Sequence, residues 1–250
     1  MKKVVALLGK GEVGSAIEKI AIETDYKVLA RDLKADGFNG EEVLCLHVCI
    51  PYKKETFMDA IKKAARDVRP ELVIIHSTIP LGTTKRVYKE VGIPVAHSPI
   101  RGDHPALYQG IKNNFVKYVA GVNKNATDLA IRHLKSLGIK KVKDAKDPIN
   151  TELGKLVNTF AYAWSIILCK WVERLSQETG ADFDIVYSDF IETYNQGYRR
   201  KSPNVLQPIL KPTAGPIGGH CLIPNTKLLK RVDNYGFTDF ILKENRRYKK

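Results

Sequence analysis

No part of this sequence carries the roughly eighteen consecutive apolar residues that a helical membrane span needs, so no spanning helix is expected. The apolar run near the start, Val4–Leu8, is too short for the apolar centre of a secretory leader, and Gly9–Glu12 interrupts it. Cysteine is scarce. The four, at 45, 49, 169 and 221, follow neither a disulfide framework nor a metal-ligand spacing along the chain, so no metal is expected and the cytoplasm is the expected location. Acidic residues are outnumbered, 27 against 41 Lys and Arg, for a formal net charge of +14. Such a charge suits an anionic partner, including phosphorylated small molecules. Basic runs are lacking except at the tail Asn245–Lys250, and no nucleic-acid motif is present, so nucleic acid is not an expected partner. The remaining Lys and Arg fall in helical patterns and read as solvated faces. What is left is 250 residues, 44% apolar, enough for one large or two modest globular domains.

The first half alternates apolar runs with helical patterns. Lys3–Leu8 reads as a strand, Gly9-Lys-Gly11-Glu-Val-Gly14 as a turn, and Ser15–Ala21 as the start of a helix. Strand, G-x-G-x-x-G and helix in that order is the dinucleotide-binding context. One glycine makes the tight turn, one lets backbone approach a pyrophosphate, and one lets helix pack on strand. A second strand, Tyr26–Ala30, leads into Arg31-Asp32. An acid at that distance suits the ribose hydroxyls of NAD, whereas Arg31 would suit the 2′-phosphate of NADP; NAD is the expected cofactor. Val43–Ile50, capped by Pro51, and Glu71–His76 read as fully buried parallel strands with a helix from about 54 to 68 between them. Pro94–His97 and Asn114–Ala120 read as further strands, followed by a helix at Ala126–Leu137. The fold class expected is α/β, a Rossmann-like doubly wound, mostly parallel sheet over 1–147, with ligands at the carboxyl ends of its strands. His47, His76 and His133 lie in apolar patterns and read as core or surface residues. His97 and His104 flank a loop near the expected cleft, with their roles open.

From about Asn150 the pattern changes to one helix running to Thr179 and ended by Gly180, with Thr151 as its expected N-cap. Its broad apolar band, from Leu153 to Leu175, suits burial in a smaller all-α domain over 148–250, or against a partner subunit. Ser202–Pro212 is too proline-rich for regular structure. Ala214-Gly-Pro-Ile-Gly-Gly-His-Cys-Leu-Ile-Pro-Asn225 then places a lone thiol, Cys221, directly after His220. A thiol beside an imidazole is a candidate nucleophile, because positive charge nearby favours the reactive thiolate.

These motifs resemble, in the same order, those of the UDP-glucose/GDP-mannose dehydrogenase family. The matching residues are Gly9/Gly11/Gly14, Ser77–Thr84, His97–Arg101, Glu152-Leu-Gly-Lys155 with Asn158, and Gly215–Pro224. The resemblance implies an NAD-dependent oxidoreductase that takes hydride from a CH–OH group of a small molecule, a nucleotide sugar in the family. It implies a cofactor cradle of Gly9, Gly11, Glu12, Val13, Gly14, Asp32, Ile50, Pro51, Ser77 and Thr78. In the reaction, Cys221 would be the nucleophile that carries the carbonyl on to the acid, with His220 beside it. Lys155 would stabilise an oxyanion, Asn158 would position oxygen or water, and Thr78 would lie between nicotinamide and substrate. A homodimer through the long helix is also implied.

The sequence departs from the family at the carboxylates of the hydrolytic half-reaction, where Ile100 and Asn225 stand instead. The spacing of Lys155 and Asn158 is also one residue shorter than usual. Loss of a general base is worth about a hundred- to ten-thousand-fold in rate. The family's third domain, which holds much of the nucleotide, is not matched, so a nucleotide sugar would bind weakly unless another polypeptide supplies that half. Two readings besides the full dehydrogenase therefore stay open. One is a two-electron enzyme like the β-hydroxyacid dehydrogenases, and the other is a non-catalytic NAD-binding module.

Overall fold

The computed structural model describes residues 3–102, 105–219 and 221–248. The chain packs as two compact units, Met1–Lys155 and Leu156–Lys250. In the first, eight strands form one sheet in the order β3-β2-β1-β4-β5-β6-β7-β8. They are β1 (Val4–Leu8), β2 (Lys27–Asp32), β3 (Ala35–Asp36), β4 (Cys45–Val48), β5 (Leu72–Ile75), β6 (Val95–His97), β7 (Lys117–Gly121) and β8 (Val142–Asp144). Pairing is parallel except for β2–β3 and β6–β7. The chain leaves β1 first toward β2 and later returns on its other side at β4, which makes the switch point where doubly wound sheets bind ligands.

Every residue of β4 and β5 is buried, which is why these strands read as unbroken apolar runs rather than alternating ones. One face packs Leu7, Ile74 and Val119 against helices α1 (Glu12–Ile22) and α5 (Lys124–Ser136). The other packs Leu46, Val73 and Val95 against α2 (Phe57–Val68) and α3 (Thr83–Val91). A short turn, α4 (Leu107–Gln109), runs into a π-turn at Gly110–Asn114. The register aligns Leu8, Arg31, Val48, Ile75 and His97 across neighbouring strands. The residues that follow each of them, Gly9 and Asp32 among them, therefore gather along one edge.

The long helix is α6 (Pro148–Thr179), and it begins earlier than expected. Asp147 caps it, its Oδ1 accepting from the Ile149 N–H at 2.9 Å, and Pro148 takes the first helical position, where no N–H is missed. Thr151 is therefore not the N-cap. It is buried in the first turn, with its hydroxyl 2.9 Å from the Pro148 carbonyl. Beyond Lys155, α6 belongs to the second unit, with α7 (Phe190–Tyr198, entered through a π-turn at Asp184–Asp189), α8 (Leu222–Leu229) and α9 (Phe237–Arg247). Ala163, Ile167, Ile217 and Ile241 are its core. The proline-rich segment carries one 3₁₀ turn, Pro203–Val205.

Two lysines correct the reading of all scattered basic residues as solvated. Lys117 is 3% exposed and Lys170 is 1% exposed. Both Nζ atoms are met by backbone carbonyls, Lys117 by Ser98 and Pro99, with His76 Nδ1 3.3 Å away, and Lys170 by Thr213 and Gly215; burial pushes the Lys117 amine well below its ordinary pKa.

Candidate cofactor and catalytic site

The glycine-rich turn follows β1. Gly9 holds φ at +97°, open to glycine at little cost, and its N–H donates to the Arg31 carbonyl at 2.8 Å. A Cβ on Gly14 would stand 2.0 Å from the Gly9 carbonyl oxygen, so helix α1 reaches its seat only without one. Gly11 differs from both. It caps α1 with an ordinary backbone angle, φ −71°, and a Cβ there would meet nothing within 4 Å. Nothing in the protein's own packing asks for glycine at 11. The space it leaves lies at a helix N-terminus, where N–H groups and the dipole favour an anion. Glu12 and Val13 form the first turn of α1.

At the end of β2, Asp32 is exposed and accepts from the backbone N–H of Lys10 and, at 2.6 Å, of Leu33. These bonds hold its carboxyl below the usual range. The carboxylate is thereby fixed beside the glycine turn, with lone pairs to spare for hydroxyl groups. Arg31 is drawn elsewhere. Its guanidinium pairs with Asp36 at 2.8 Å and Asp67 at 2.7 Å and lies 4.3 Å from the Phe38 ring. Ile50 and Pro51 follow β4, and Ser77 and Thr78 follow β5. The Ser77 hydroxyl donates to the Ile50 carbonyl at 2.6 Å and ties these two strand ends together.

The start of α6 is pinned to the same unit by Glu152, whose part as an anchor was not legible in the sequence. This buried carboxylate accepts from Gly82 N–H at 2.5 Å, Thr84 N–H at 2.9 Å and the Thr84 hydroxyl at 2.6 Å. It caps the amino end of α3 from another helix. Burial nonetheless pushes its pKa up, against those hydrogen bonds. The signal available was the spacing Glu152-x-x-Lys155, which puts both on one helix face. One turn on, the Lys155 ammonium donates to the Ile100 carbonyl at 2.8 Å. Ile100 itself is buried in the apolar core. His97 bridges the end of β6 and the start of α6, with Nδ1 2.8 Å from the Thr151 hydroxyl and Nε2 3.1 Å from the Ser77 carbonyl. The carbonyl can only accept, so Nε2 carries the proton. Burial depresses this imidazole to about 3. It is therefore neutral and structural at ordinary pH. His104 and His220 lie outside the described residues.

In the second unit Cys221 is half-buried at the N-cap of α8, its carbonyl accepting from the Asn225 N–H at 2.9 Å. Asn225 is buried, and its side-chain amide donates to the Thr159 hydroxyl at 3.2 Å. Asn158 is exposed on α6. The loop that leads to Cys221 is held at two points. Lys170 donates to the carbonyls of Thr213 and, at 2.9 Å, Gly215, and the Asn245 side chain accepts from the Ile217 N–H at 2.6 Å.

No family model matches the chain. Among curated proteins, the UDP-N-acetyl-D-mannosamine dehydrogenase of Methanocaldococcus jannaschii is 30% identical over 212 residues, 79% of this chain and 45% of that protein. The chain thus spans less than half the length of that relative. Among solved structures, the UDP-D-ManNAc dehydrogenase from Pyrococcus horikoshii superposes with a TM-score of 0.81 at 20% identity, covering 98% of this chain and 68% of that one. The 3-hydroxyisobutyrate dehydrogenase of Mycobacterium tuberculosis superposes with a TM-score of 0.68 at 13% identity, covering 96% and 91%. Over the part of those proteins that it spans, the chain is thus similar in sequence to the UDP-N-acetyl-D-mannosamine dehydrogenases and shares the fold of these solved dehydrogenases.

Proposed function

We propose that this chain is an NAD-dependent oxidoreductase that takes hydride from a CH–OH carbon of a small molecule of the nucleotide-sugar class. The observation that carries the reading is the cradle after β1. Gly11 leaves an open space at the amino end of α1, and Asp32 stands beside it as a fixed carboxylate. That space suits a pyrophosphate, and the carboxylate suits the two ribose hydroxyls. NAD rather than NADP is supported by Arg31, whose charge is already matched by Asp36 and Asp67. A 2′-phosphate would face Asp32 without a free cation from that residue.

The cofactor, when bound, supplies the hydride acceptor; the protein supplies position and charge. Lys155, already oriented by the Ile100 carbonyl, is proposed to hold the substrate oxygen while its proton passes to solvent water, and Asn158 to hold a second hydrogen bond. Thr78 is proposed to line the space between cofactor and substrate. Cys221, with His220 beside it, is the candidate nucleophile for a second oxidation.

A second reading is supported by Ile100 and Asn225. One is packed in an apolar core and the other is an amide bonded to Thr159, so neither offers a hydrolytic base. On that account the enzyme stops at the carbonyl after two electrons, as expected of the simpler hydroxyacid dehydrogenases whose fold it shares. Stoichiometry separates the two. The purified chain is given limiting nucleotide sugar and excess NAD. Two NADH per sugar in the wild type and one in Cys221→Ser support the four-electron reaction; one in both supports the two-electron reaction. No NADH with any nucleotide sugar or hydroxyacid, from a chain that binds NAD, leaves a non-catalytic module. A homodimer is proposed through the partly exposed Trp164, Leu168, Trp171 and Phe240, which line an apolar cavity of about 210 Å³. A monomeric mass in light scattering would contradict it.

A further inference from the structure

The sheet face beneath α1 and α5 is apolar except for a line of titratable groups that the proposed chemistry does not use. Cys45 and His47 alternate on β4 and so share that face, and His133 descends onto it from α5. All three are buried. Their donor atoms, one sulfur and two ring nitrogens, lie within 4.8 Å of one another. His47 Nε2 and His133 Nε2 are 3.0 Å apart. Along the chain these residues show no ligand spacing, because strand and helix bring them together only in the fold.

One tautomer of this line, set from its far end, suits a metal ligand. The Ser98 carbonyl lies 2.9 Å from His76 Nδ1, and the Lys117 Nζ lies 3.3 Å from the same nitrogen; in the tautomer in which Nδ1 donates to that carbonyl, Nε2 of the neutral ring is the acceptor. His47 Nδ1, 2.9 Å from His76 Nε2, must then donate. That leaves a lone pair on His47 Nε2, which lies 3.0 Å from His133 Nε2. An imidazole whose second nitrogen donates along a hydrogen-bonded chain to a carbonyl is the usual support of a metal ligand.

We propose that Cys45, His47 and His133 form a buried metal site for a thiophilic d¹⁰ ion, Zn²⁺ or Cu⁺. Donors that share such an ion at about 2.0–2.3 Å stand roughly 3–4 Å apart; the two ring nitrogens already stand 3.0 Å apart, and the sulfur, within 4.8 Å of both, is drawn in on binding. A set of one sulfur and two imidazoles without a carboxylate disfavours Mg²⁺ and Ca²⁺. On binding, the Cys45 S–H bond breaks and a metal–sulfur bond forms, releasing one proton. The proton between the two rings moves from His133 Nε2 to His133 Nδ1 and is kept. Nothing is oxidised or reduced. Cu⁺ with one thiolate is neutral and satisfied by three donors, whereas Zn²⁺ keeps one positive charge and a fourth position to fill. His133, 8% exposed, is the edge by which an ion enters.

The test uses the whole chain, stripped with chelator under reducing conditions and titrated separately with Zn²⁺ and with Cu⁺. Metal content, proton release and thermal stability are followed. The proposal expects one ion per chain, about one proton released, and a raised melting temperature. It expects these in Cys221→Ser as well, which separates the site from the candidate nucleophile. Cys45→Val and His133→Leu should abolish stoichiometric binding, and His76→Phe, which leaves all three donors in place but removes the acceptor behind His47, should weaken it about 10–100-fold. The tighter of the two titrations names the ion. A folded wild type that retains neither ion, or binding that survives Cys45→Val, overturns the proposal.

Discussion

The glycine turn makes a prediction that separates fold from ligand. At Gly14 an added Cβ would lie 2.0 Å from the Gly9 carbonyl oxygen and 3.0 Å from its carbon, both backbone atoms that no rotamer change can move aside. Gly14→Ala should therefore shift α1 off the sheet and cost about 1–3 kcal/mol or more, the usual range for overpacking. At Gly11 the backbone already suits an L-residue and the Cβ would meet nothing. Gly11→Ala should leave stability unchanged or raise it by about 0.4–1 kcal/mol, because alanine has less freedom to lose on folding. If the open space is filled by a pyrophosphate, the same methyl group intrudes there and weakens NAD binding by about 1–3 kcal/mol, or roughly 5- to 150-fold. Thermal melts paired with NAD titrations of both variants read this directly. A Gly11→Ala protein that melts well below the wild type, or binds NAD as tightly, would refute the assignment of that space.

Three further outcomes follow from the anchors around the site. Glu152→Ala strips the acceptor from Gly82 N–H, Thr84 N–H and the Thr84 hydroxyl, and should cost about 2–5 kcal/mol; a melt within a degree of wild type would contradict the capping role. His97 is held neutral by burial down to about 3, against an ordinary 6.5, so the unfolded chain takes up the proton first and stability falls as pH drops below 6.5. His97→Gln should reduce the steepness of that loss by about 1.4 kcal/mol per pH unit in denaturant titrations; an unchanged slope would show that His97 is protonated in the fold. Lys170→Met should release the loop at Thr213 and Gly215 and change the alkylation rate of Cys221 by tenfold or more, with Lys170→Arg intermediate. Equal rates in all three would show that the loop does not depend on this anchor.

Much of the sheet was legible because burial on both faces forces unbroken apolar runs, as at β4 and β5, and because a glycine turn between strand and helix has few other uses. The short β3 and β8 carry too few residues to show a period. Helix α3 was hidden in a polar stretch with little apolar signal beyond Val87; only Gly82 and Gly92, which bracket it in left-handed conformations, mark its ends. The start of α6 was misplaced because Thr151 resembles a cap, whereas the cap is Asp147, followed by Pro148. Buried titratable side chains were the least legible of all. Nothing local distinguishes Lys117 or Lys170 from a solvated lysine, since what buries each is a set of backbone carbonyls distant in sequence. Glu152 is similar, for its partners lie about seventy residues away.

The most direct test of the central claim is a calorimetric titration of the folded chain with NAD and, separately, with NADP, repeated on Asp32→Ala. Saturable NAD binding at one site, several-fold weaker binding of NADP, and loss of NAD affinity in the variant are the results expected from a ribose held by Asp32 and an Arg31 occupied by Asp36 and Asp67. A preference for NADP would hand the ribose site to Arg31. Absence of binding by either dinucleotide would contradict the oxidoreductase reading outright.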